Sequence, residues 1–95
     1  MIVLGDDMSK IKITLQAGPV FYDVFHGFLR IAGTNLKDWS LAHGLHGNNV
    51  KAAATGVWNG SGARELRQQM SEWAGADLFE RLYEERLTRE SAEAA

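Results

Sequence analysis

Glycines cut this chain into apolar stripes of helical period, and that alternation narrows its fold more than any other feature. From Gly18-Pro19 onward, Val20, Phe21, Val24, Phe25, Phe28, Leu29 and Ala32 recur at the spacing of one broad helix face, and Gly33 ends the run. Pro19 suits a first helical turn, where its missing N–H would have had no partner. Thr34 is the expected N-cap of a second helix through Leu36, Trp39 and Leu41 or Ala42, which Gly44 stops in a left-handed conformation. A third helix begins between His46 and Asn49, with Asn48 as an alternative cap. It passes through Val50, Ala53 and Ala54 and fades at Gly56. Asn59-Gly60-Ser61-Gly62 breaks the helices without separating domains. Ala63, Leu66, Met70, Trp73 and Ala74 form a fourth stripe, closed by Gly75. Leu78, Phe79, Leu82, Tyr83 and Leu87 form a fifth, which fades into a polar, frayed tail from Thr88 to Ala95.

Upstream, Lys10-Ile11-Lys12-Ile13-Thr14-Leu15 alternates with period two, the pattern of a half-buried strand. A lone strand is unstable, so it pairs with another chain, packs on helices or remains an arm. Met8 offers an alternative translation start to Met1. The expected class is all-α: about five short helices with a central helix-turn-helix, plus an N-terminal β-strand or arm. Residues 1–17 would be the arm, 18–62 the helix-turn-helix core and 63–95 the C-terminal helices, within one compact domain.

With 95 residues and 45 % apolar content, a single small domain is expected, and its modest burial makes a homo-oligomer reasonable. The chain has no cysteine, which excludes disulfides, thiolate metal ligands and a cysteine nucleophile, and agrees with a reducing, cytoplasmic setting. Ile2-Val3-Leu4 is too short an apolar run for a signal-peptide core or a membrane span, so no membrane partner is expected. The net charge of −2 is unevenly placed. Residues 1–62 carry one excess positive charge, and the acidity sits in residues 63–95.

The stretch from Asn35 to Gly56 meets the demands of two short helices crossing steeply at a glycine. Leu36 and Trp39 face inward, Ser40 is small enough for a close crossing, Gly44 tolerates positive φ, Leu45 anchors the turn, and Val50 with Ala53 or Ala54 holds the second helix down. These residues, with the closing Gly56 or Asn59-Gly60, resemble the helix-turn-helix of lambda-repressor-like and phage-type transcriptional regulators over about Asn35 to Gly60. Two positions depart from that family's pattern: Ser40 stands where alanine is usual, and His46-Gly47 where a serine or threonine cap is usual.

The resemblance implies that helix 47–56 enters the major groove of double-stranded DNA. Gly47, Asn48, Asn49, Lys51, Ala52 and Thr55 would then face the bases, and Lys37 and His46 the phosphates. Asparagine can pair bidentately with adenine, alanine or the threonine methyl can pack on a thymine methyl, and lysine reaches guanine or phosphate. A solvated face of this size ordinarily carries Glu–Lys pairs, whereas this one has no acid. Because cations are few, a homodimer joined through the C-terminal helices is expected to double the contacts. The alternative is a helical protein–protein interaction module that binds no DNA. His43 and His46 are three apart, but Gly44 breaks the helix between them and no third ligand is near, so no metal site is expected. Asp23 and His26 lack an accompanying nucleophile or phosphate loop, so neither catalysis, nor a cofactor, nor a small-molecule substrate is expected. His26 should be solvated, Trp39 and Trp73 should lie in the core, and Trp58 should cover the core rather than touch DNA.

Overall fold

The computed structural model describes residues 15–94. These form α1 (Pro19–Ile31), α2 (Leu36–Ala42), α3 (Gly47–Thr55), α4 (Ser61–Ala74) and α5 (Ala76–Ala94), with no strand among the described residues. The all-α expectation and the five helices hold. The expected strand from Lys10 to Leu15 lies almost wholly outside the described residues, and Leu15–Ala17 is an irregular segment leading into α1.

The aromatic face of α1 is the centre of the packing, and α1 touches each of the other four helices. Phe21, Phe25 and Leu29 are fully buried. Phe25 meets the indoles of Trp39 (5.1 Å between centroids) and Trp73 (5.9 Å) edge-on, joining α2 and α4 to α1. Phe21 and Phe28 hold Phe79 of α5 between them, at 4.9 and 5.6 Å. Aromatic pairs of this geometry add about 0.5–1.5 kcal/mol beyond the area they bury. One turn further along α5, the Tyr83 hydroxyl donates to the Gln16 carbonyl (3.4 Å) and accepts from the Gln16 amide (3.1 Å). The segment before α1 is thereby tied to the last helix.

Several local expectations are corrected. The cap of α2 is Asn35, not Thr34: Asn35 Oδ1 accepts from the Asp38 amide at 2.8 Å, and Asn35 Nδ2 donates back to Asp38 Oδ2 at 3.1 Å. Thr34 is instead consumed in closing α1, its amide donating to the Leu29 carbonyl at 2.9 Å. Ala32 caps α1 in the exposed zone, and Leu41 and Ala42 are exposed, so α2 buries Trp39 and Ser40. The last helix does not fade at Thr88 but continues to Ala94, and Arg86 to Glu90 and Glu85 to Arg89 supply ion pairs one turn apart along it. His26 is half-buried, its ring 5.6 Å from that of Tyr22. Trp39 is core, whereas Trp73 keeps 37 % exposure. Trp58 is 42 % exposed, and its indole lies over the start of α4, where a Cβ on Gly62 would sit 3.0 Å from the ring. Among the described residues, no helix is long and apolar enough to cross a membrane.

Because Phe25 is fully buried between two other helices, Phe25→Ala should cost about 3–5 kcal/mol, a large share of the stability of so small a domain. Thermal unfolding should show a fall in Tm of more than about 10 °C. Ile31→Ala, at an 81 % exposed position, should stay within about 0.5 kcal/mol of the parent.

Candidate nucleic-acid interface

The corner between α2 and α3 is closed by backbone geometry that requires glycine. Gly44 has φ +70°, its amide donates to the Leu41 carbonyl (3.1 Å), and the next amide, from Leu45, reaches back to the Ser40 carbonyl (2.8 Å). This pair of reversed bonds is the Schellman closure, and Leu45 packs half-buried against the core just beyond it. Ser40 is fully buried at the crossing, and its hydroxyl is satisfied by donating to the Leu36 carbonyl at 2.7 Å. A Cβ placed on Gly47 would lie 4.0 Å from Ser40 Oγ, so α3 begins directly against this small side chain. Val50, Ala53 and Ala54, all fully buried, hold α3 to the core.

Helix α3 begins at Gly47, with His46 as N-cap, rather than two residues later behind Asn48. The His46 side chain makes no capping hydrogen bond, so the first-turn amides of Gly47 and Asn48 are left for water or an external acceptor. His43 is the C-cap of α2. Its Nδ1 lies 2.8 Å from the Trp39 carbonyl, and its ring stacks on the Trp39 indole at 4.1 Å.

Five of the eight residues singled out in the sequence line one open groove between α2 and the start of α3. Lys37, His46, Gly47, Asn48 and Lys51 surround it together with Leu36, and among the described residues no carboxylate does. The Lys51 ammonium lies 5.9 Å from the centre of the Tyr22 ring, a cation–π contact that directs this side chain along α1. The other three lie outside it. Asn49 is exposed, Ala52 is half-buried, and Thr55 is half-buried at the C-terminal end of the helix, where its hydroxyl donates to the Lys51 carbonyl at 2.9 Å.

Two residues of this region escaped the sequence reading. Tyr22 stood between two core phenylalanines without falling on the stripe, and nothing in the sequence tied it to Lys51. Arg67 was detectable: it falls four residues after Ala63 and three before Met70, an inward position occupied by a charge. It is only 6 % exposed, and it donates to the Ala53 carbonyl of α3 and to Asn59 Oδ1, both at 2.8 Å. Burial, and secondarily the charge of Arg64, hold its guanidinium below the usual arginine value.

No protein-family model matches the chain, and no curated protein or solved structure matches it.

The two glycines of the corner should respond oppositely to alanine. Gly44→Ala forces an L side chain into the left-handed region and should destabilise by about 1–2 kcal/mol. Gly47 has no positive φ, and a Cβ there would meet Ser40 Oγ at an ordinary contact distance of 4.0 Å, so Gly47→Ala should leave stability unchanged or raise it by up to about 1 kcal/mol in urea denaturation.

Proposed function

We propose that this protein is a sequence-specific double-stranded DNA-binding transcriptional regulator of the lambda-repressor-like helix-turn-helix type. It lays α3 in the major groove and acts in the cytoplasm as a homodimer. The observation that carries this reading is the groove, free of acids among the described residues, in which Lys37, His46, Gly47, Asn48 and Lys51 converge at a helix N-terminus without a side-chain cap. At 1.5 Å per residue the nine-residue α3 is about 13 Å long, comparable with a major groove about 12 Å wide.

In this reading a backbone phosphate is held by Lys37 and His46 and by the free first-turn amides, which also offer the positive end of the helix dipole. Asn48 and Asn49 read base edges, and Lys51, steered by Tyr22, reaches guanine or a further phosphate. Thr55, with its hydroxyl turned to the helix, offers its methyl to a thymine, as does Ala52. Leu78 and Leu82, one turn apart on α5 and 49 % and 42 % exposed, supply apolar surface for a two-fold contact through the C-terminal helices. A second reading, a helical protein-interaction module, draws on Val57 and Trp58, exposed side by side at 86 % and 42 %.

Binding to random duplex DNA, titrated with salt, separates the two. The DNA reading expects retention that falls linearly in log–log salt with a shallow slope, and no retention at low salt defeats it. Within the DNA reading, Asn48→Ala should change sequence preference by about 1–3 kcal/mol at one base position. Lys37→Ala should weaken all sequences alike and lower the salt slope by about one. Uniform losses from both would remove α3 as the reading helix.

A further inference from the structure

A second groove, free of acids among the described residues, flanks α3 at its other end. It lies between the C-terminal turn of that helix, the following loop and α4, and Thr55, Gly56, Asn59, Arg64 and Arg67 line it together with the segment before α1. Arg67 uses two of the five N–H donors of a guanidinium on Ala53 and Asn59, and no carboxylate pairs with it among the described residues. Its bond to Asn59 Oδ1 commits that oxygen, leaving Asn59 Nδ2 as a donor. Arg64 is exposed and adds a second positive charge to the same groove. Two guanidiniums are thus brought together, one nearly buried, and the adjoining hollow that both also border carries Glu72 and Glu80. Repulsion between the two guanidiniums contributes to holding Arg67 below its usual value.

We infer that this groove is a binding site for a phosphate-class oxyanion. Arg64 and Arg67 supply charge-assisted hydrogen bonds to its oxygens, and Asn59 Nδ2 supplies a neutral one. Planar guanidinium donors suit a tetrahedral oxyanion, and bringing a negative charge here relieves the unpaired charge of Arg67. Arg67 also grips the Ala53 carbonyl, so an occupant braces the joint between α3 and α4 and stabilises the folded chain by mass action. The site stands independently of the DNA reading. Its phosphate could come from a free phosphorylated small molecule or from a nucleic-acid backbone.

The test is titration of the full chain with inorganic phosphate against chloride at matched ionic strength, followed by amide chemical shifts and by Tm. The expected result is saturable shifts confined to residues 55–67 with a rising Tm. Arg64→Gln should keep the parent Tm in chloride while binding phosphate at least about tenfold more weakly. Arg67→Lys, which keeps the charge but loses the fork, should also bind more weakly. Non-saturating shifts spread over all basic residues, or an Arg64→Gln isotherm equal to the parent's, would overturn the site. Adding a duplex to the phosphate-loaded protein distinguishes the sources: release of phosphate assigns the site to a backbone phosphate, and retention assigns it to a free anion. A chain that binds no duplex at all but retains the saturable phosphate isotherm keeps this site and loses only the DNA reading.

Discussion

Burial of the phenylalanine face of α1 is the constraint on which the rest of the molecule depends. Helix α2 has seven residues, too few to be stable by itself in water, and its neighbours are α1 and α3. Its placement rests on Trp39 meeting Phe25 and on Ser40 packing at the crossing with α3. The same phenylalanine is met by Trp73, so the corner and α4 share one anchor, while Phe21 and Phe28 fix α5 through Phe79. A side chain with no place in either groove therefore sets the angle at which α3 is presented.

Charge is sorted around this core. Asp38, the acid nearest Lys37 in sequence, is engaged by Asn35 at the cap of α2. Asp23 and Glu90 meet at Arg86 and brace α5 against α1, an exposed and well-screened arrangement. Among the described residues both grooves beside α3 are lined by cations without acids, Lys37 and Lys51 at one end, Arg64 and Arg67 at the other, with Glu72 and Glu80 bordering the neighbouring hollow of the two arginines. A net charge of −2 conceals this, because the sum counts acids that lie elsewhere on the surface.

What the sequence made legible was what periodicity governs. The five stripes, the stop at Gly44 and the inward Val50, Ala53 and Ala54 follow from apolar spacing and from the one residue that tolerates positive φ. Thr34 and Asn35 are both good caps by composition; it is the Asn35 side chain that accepts from the Asp38 amide, while the Thr34 amide closes α1. Trp58 was expected to cover the core, but it lies over Gly60 and Gly62 at the start of α4 and much of it stays exposed. For the candidate interface, spacing identified the outward residues of α3. It did not separate Asn49, Ala52 and Thr55 from the five that converge, because that grouping is set by where α2 crosses. Arg67 shows a signal that was available: a charge at an inward register position has to find partners, and here they are a carbonyl of α3 and an asparagine of the next loop.

The central claim is that the α2–α3 corner presents α3 for reading DNA, and selection of bound sites from a random duplex pool tests it most directly. The full chain at low salt should enrich a defined sequence, arranged as two inverted half-sites about one helical turn apart if two copies bind together. Recovery of a pool indistinguishable from the input, round after round, would contradict it.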